Sequence, residues 1–124
     1  MGAIENGAAG AQAFLRALSE AGELPGEPLE STQPRREDYL FVAPKAPTED
    51  VLSSNRQASV DTPRGHQGPY AFIDVASGLR GTKLPFVHLD IAGVVVSPPD
   101  WQVGRPTGSP IAALVEALEA RQRG

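Results

Sequence analysis

Residues 84–93, Leu-Pro-Phe-Val-His-Leu-Asp-Ile-Ala-Gly, are the one stretch of this sequence that reads as a buried β-strand, and that scarcity limits what the chain can fold into. Phe86, Val87, Leu89, Ile91 and Ala92 make it apolar nearly throughout, and Val94, Val95 and Val96 continue the β-branched run. Pro85 restricts its start, and Gly93 allows close backbone approach. The pattern predicts a central strand over 84–96. One strand makes no sheet, so weaker strands within 29–60, near Tyr39 to Val42, or strands of another polypeptide must complete it.

Three helices are expected around that strand. Ala11, Phe14, Leu15 and Leu18 follow the i, i+3, i+4, i+7 rule, which predicts a helix over 11–22 that stops at Gly22. The turn-forming cluster 62–69, Thr-Pro-Arg-Gly-His-Gln-Gly-Pro, opens a second helix over 69–80, with Phe72, Val75, Ala76 and Leu79 as its apolar stripe and Gly78 and Gly81 at its end. Ser109 as cap and Pro110 at the first helical position start a third over 109–122, its stripe on Ile111, Leu114, Val115 and Leu118. Glu119 and Arg123 are spaced to pair on its exposed side.

Residues 23–68 hold half of the prolines and read as one long irregular segment, more comfortable draped over a neighbouring surface than inside a small domain. With 13 Gly and 12 Pro among 124 residues, about a fifth of the chain is poor material for helix or strand interiors. The expectation is one domain of α/β class, an incomplete αβα sandwich fragment of about three helices and one central strand, relying on another chain for part of its core.

A net charge of −4 with both signs interspersed advertises no nucleic acid and no anionic membrane, which leaves other protein chains or small molecules as partners. The longest apolar run, 91–96, is far too short to cross a bilayer. The absence of cysteine excludes disulfides and thiolate metal sites and suits an intracellular compartment. No basic or Arg-rich leader pattern occupies 1–10, so cytoplasm and mitochondrion both stay open.

Residues that could carry chemistry are few. His88 and Asp90, two apart on a strand, share a face and could act as an acid/base couple; a structural polar pair tying the strand to a neighbour is the favoured reading. A metal would need a third ligand, and the only other histidine, His66, lies in a turn. The Arg64-Gly-His-Gln-Gly turn before a helix N-terminus lacks a phosphate-loop pattern. Trp101, in a Pro-rich loop, is either a satellite core residue or an exposed anchor for a partner.

Several segments resemble the leucyl (cytosol) aminopeptidase family. His88-Leu-Asp-Ile-Ala-Gly93, then Gly104-Arg-Pro-Thr-Gly-Ser-Pro110 and a terminal helix, look like the C-terminal part of its catalytic domain. Gly22-Glu-Leu-Pro-Gly-Glu-Pro-Leu29, Arg35-Arg-Glu-Asp38, 50–55 and 62–69 are similar to earlier segments, in the same order. The resemblance implies an αβα domain of a two-metal exopeptidase, usually hexameric, whose zinc or manganese ions activate a bridging water. The family's ligands are a lysine and carboxylates, part of them in an Asn-Thr-Asp-Ala-Glu-Gly-Arg motif that this sequence lacks, so they would lie before Met1. What carries over is pocket wall, Ala92 and Val95. Neither catalytic residues nor a metal or other cofactor is expected on this chain. Tyr70 and Asp74 stand where the family has small or apolar residues and become, with Trp101, candidate partner contacts. The resulting expectation is a truncated pseudoenzyme, a structural or assembly subunit of a larger complex; the alternative is one piece of a split or processed aminopeptidase whose metal ligands lie on another chain.

Overall fold

A computed structural model describes residues 1–52, 65–91 and 107–123. Along the chain it places β1 (Gly2–Glu5), α1 (Ala9–Glu23), β2 (Glu30–Ser31), α2 (Arg36–Phe41), α3 (Gln67–Ala76), β3 (Val87–Asp90) and α4 (Ile111–Arg123). Among the described residues the class is mixed α/β, four helices with a small three-stranded sheet.

The sheet is not centred where the sequence suggests. Its order is β2-β1-β3, with β2 parallel to β1 and β3 antiparallel to it. The middle strand is Gly-Ala-Ile-Glu, whose Ala3 and Ile4 are fully buried. β3 falls within the expected 84–96 strand and has four described residues; among the described residues it lies at an edge of the sheet with every side chain half-buried, and Ile91 is 37% exposed. Residues 92–96 of that prediction lie outside the described residues. The physical reason is steric. Helices press on both sides of the middle position, and a strand of small side chains with one Ile fits there, whereas an edge strand tolerates bulk.

Side chains alternate across the sheet, so Gly2, Ile4, His88 and Asp90 share one face and Ala3, Glu5, Val87 and Leu89 the other. On the Leu89 face, α1 and α4 enclose a core of Leu18, Ala113 and Ala117, with Phe14, Ala21, Leu29, Leu89 and Leu114 packed around it. On the opposite face α3 covers the sheet: the Tyr70 ring stacks on Phe86 at 5.6 Å and meets the edge of His88 at 6.2 Å.

α1 buries Ala11, Leu15 and Leu18 as its periodicity predicts, with Phe14 half-buried beside them. Gly22 does not stop it; the helix runs to Glu23, and Gly22 is a point of close approach. The Gly22 carbonyl accepts the Glu27 amide at 2.8 Å, and a Cβ at position 22 would stand 2.4 Å from the Glu27 carbonyl oxygen. Residues 23–68 are not uniformly irregular. β2 pairs there, and the Tyr39–Val42 region expected as a weak strand is helical through Phe41. The Asp38 carboxylate fixes that helix by accepting the Arg35 amide at 2.6 Å.

α3 starts two residues before its prediction and ends at Ala76, where Gly78 (φ +72°) turns the chain. It buries Gln67, Tyr70, Ala71 and Asp74 rather than the predicted stripe. α4 departs from its prediction in the same way, except that Leu114 of the predicted stripe packs half-buried against the core. Ala113 and Ala117 face α1, while Ile111, Val115 and Leu118 are 64%, 48% and 51% exposed. Close helix contact needs small residues at the seam, and that requirement overrides the larger aliphatic stripe. Pro110 is not the first helical residue but supplies the carbonyl that accepts the Leu114 amide at 3.0 Å. The Glu27 carboxylate accepts the Ala113 amide at 2.8 Å, an anion on the positive end of α4. Glu119 and Arg123 pair as expected, 3.4 Å apart.

Candidate functional site

The end of β1, α2, α3 and the turn after α3 converge on a cleft of about 300 Å³. β1 brings Glu5 to it, α2 brings Tyr39, and α3 brings Tyr70 and Asp74, whose i, i+4 spacing puts both on one face. The turn that Gly78 starts returns Arg80 to the same place, its amide bonded to the Asp74 carbonyl at 3.0 Å. Asn6, Gln33 and Thr82 complete the polar rim.

Glu5, Tyr70 and Asp74 are buried, so their polar atoms need partners. The Glu5 carboxylate accepts the Gly7 amide and, at 3.1 Å, the Gln33 side-chain amide. The Tyr39 hydroxyl donates to Asp74 at 2.9 Å. The Arg80 guanidinium lies 4.1 Å from the centre of the Tyr39 ring, a cation–π contact. Burial, reinforced by the hydrogen bond to Asp74 and its charge, raises the Tyr39 phenol well above its ordinary value. Tyr70 is raised too, chiefly by burial and then by the charge of Asp74. Both phenols therefore stay protonated across neutral pH and serve as hydrogen-bonding groups, not as bases.

A second polar cluster lies under α3. Thr32 Oγ1 and His66 Nε2 are 2.8 Å apart, and the Gln67 side-chain amide donates to the same hydroxyl at 3.2 Å. The His66 ring sits against Gly2, where a Cβ would approach to 2.9 Å. Gln67 Oε1 and His88 Nε2 are both buried without a hydrogen-bond partner. Burial lowers the His88 pKa; the Asp90 charge opposes that shift and His66 adds to it.

Of the residues singled out from sequence, Tyr70 and Asp74 do come together, but as buried cleft and core groups, not as surface partner contacts: they are 1% and 3% exposed. Tyr39, Glu5 and Arg80 face these two polar side chains from within the chain. His88 and Asp90 share a face as expected, and His88 makes ring contact with Tyr70 while its Nε2 is buried without a hydrogen-bond partner. Ala92, Val95 and Trp101 lie outside the described residues. Glu5, Tyr39 and Arg80 went unnoticed in the sequence; only the i, i+4 spacing of Tyr70 and Asp74 pointed towards the cleft.

The donor set does not suit a two-metal centre. Among the described residues no three His, Asp or Glu side chains are grouped as metal ligands, and the two cleft carboxylates already accept hydrogen bonds from the chain. Nor is any helix among them long and apolar enough to cross a membrane.

No family model matches the sequence. The chain is similar to the Caenorhabditis elegans protein named "Putative aminopeptidase W07G4.4", 31% identical over an alignment 118 residues long that covers 90% of this chain. It spans 23% of the length of that relative, and the relation the comparison supports is to an aminopeptidase-like protein.

Proposed function

We propose that this chain is a non-catalytic, aminopeptidase-derived structural or assembly subunit of a larger protein complex, with kinship to the leucyl aminopeptidases. The observation that carries the reading is the proportion of the match: nearly all of this chain aligns with less than a quarter of its relative. Within that segment the described residues form a small sheet with helices against both faces, the kind of scaffold the reading requires. The same proportion favours a second reading, in which the chain is the C-terminal piece of a split or processed two-metal enzyme whose ligands another polypeptide supplies. In both readings its partners are protein chains within the cell.

One set of assays tests both. The purified chain is incubated with a leucyl chromogenic substrate and Mn²⁺ or Zn²⁺, alone and together with the polypeptides that copurify with it at native stoichiometry. No hydrolysis in either case supports the structural subunit. Hydrolysis only on mixing supports the split enzyme. Turnover by the chain alone overturns both.

A further inference from the structure

The cleft beside α3 has no part in the assembly reading, and its charges are sorted by depth. Glu5 and Asp74 form its floor, 6% and 3% exposed, while Arg80 stands exposed at its rim. Every donor to the two carboxylates among the described residues is neutral: the Gly7 amide, the Gln33 side-chain amide and the Tyr39 hydroxyl. Buried carboxylates are ordinarily matched by a cation, because a charge taken out of water without a partner keeps its desolvation cost. Arg80 is turned to another use. Its guanidinium lies over the Tyr39 ring, 4.1 Å from the centre, on a turn bounded by Gly78 and Gly81, both at positive φ. The phenols of Tyr39 and Tyr70 stay protonated, so they offer hydrogen bonds but no charge.

We propose that this cleft binds a small organic zwitterion, its ammonium group held at the floor by Glu5 and Asp74 and its anionic end facing Arg80 at the rim. The proposal goes beyond the assembly reading and does not rest on it. An ionised carboxylate can accept more hydrogen bonds than Glu5 and Asp74 receive from the chain, which leaves acceptors for the N–H donors of an ammonium. A ligand with only a positive charge meets repulsion at Arg80, and one with only a negative charge meets it at the floor. Opposite charges at the two ends satisfy both. The volume of about 300 Å³ lies at the lower end for ligand pockets and suits a molecule of few heavy atoms. A hard divalent ion fits less well, since it takes more oxygen ligands than two carboxylates already engaged by the chain supply.

The test titrates the full chain by calorimetry with γ-aminobutyrate, β-alanine and glycine, a series that varies the distance between the two charges. Butylamine and butyrate, each with one of those charges, are the comparison. At least one zwitterion should bind about ten-fold more tightly than both, the worth of one charge-assisted hydrogen bond. Asp74→Asn should weaken that zwitterion and butylamine alike, and Arg80→Gln should bring the zwitterion down to the affinity of butylamine. Arg80 is exposed, so Arg80→Gln reads the rim with the floor intact even where Asp74→Asn disturbs folding, which the circular dichroism melt of each variant reports. Binding of no zwitterion, or of none more tightly than the singly charged compounds, overturns the proposal. So does a zwitterion whose affinity Arg80→Gln leaves unchanged, since it then binds elsewhere. Each of these failures leaves the assembly reading standing, because neither hydrolysis nor copurification depends on the cleft.

Discussion

At the scale of single residues, the cleft is a place where burial and charge fix protonation. The chain has two tyrosines, Tyr39 and Tyr70, and both are raised by burial beside Asp74. Spectrophotometric titration should therefore show no phenolate absorbance at the ordinary value of about 10, and ionisation only at higher pH or on unfolding. Asp74→Asn removes a charge that raises both groups, and should bring their ionisation to lower pH; an unchanged curve would show that Asp74 does not act on them. His88 gives the opposite kind of dependence. Its folded pKa lies below the ordinary value of about 6.5, so the unfolded chain binds its proton first. The stability it contributes is complete above about 6.5 and declines as pH falls from there through the folded value. Denaturant midpoints across this range should fall with acidification in the native chain and fall less in His88→Gln, with Asp90 and His66 present in both.

The elements divide into those the sequence announced and those that contact decided. α1 was legible because its periodic residues Ala11, Leu15 and Leu18 are the residues it buries. The sheet was not: four residues of Gly-Ala-Ile-Glu carry almost no strand signal, while the richer apolar run of β3 lies at an edge. α3 and α4 were found within a few residues, but their faces were misassigned because a cleft of paired polar groups and a tight alanine seam outweigh hydrophobic size. The cleft itself was almost invisible, since Glu5 and Tyr39 are far from Tyr70 and Asp74 in sequence and Arg80 lies in the turn after α3, outside the helical spacing. Two variants measure these corrections by chemical denaturation. Ile4→Ala should cost about 2–5 kcal/mol, as for a fully buried aliphatic side chain, whereas Ile91→Ala should cost less than Ile4→Ala, because that side chain is partly exposed in the folded chain. The reverse order would restore β3 to the centre. Gly22→Ala forces the α1 terminus off the Glu27 carbonyl and should cost about 1–3 kcal/mol, the usual penalty of overfilling a packed site.

For the molecule as a whole, the described core is small and much aliphatic surface faces outward, with Leu24, Leu40 and Leu84 exposed as well as the α4 stripe. An isolated chain of this composition should bind a hydrophobic dye in its folded state, and Val115→Glu with Leu118→Glu should reduce that fluorescence with no loss of helix. Partner binding to a folded form raises its melting temperature by mass action, so under the assembly reading proposed above the chain should melt higher with its partners than alone. The position of β1 has a further consequence, for the order of assembly. It pairs with residues 30–31 soon after it in the chain, but its other edge waits for residues 87–90. Until that late ladder closes, half of the middle strand's hydrogen-bonding capacity is open to any extended peptide, so folding is slowed by a long loop closure and the half-made sheet is the state from which misassociation would start.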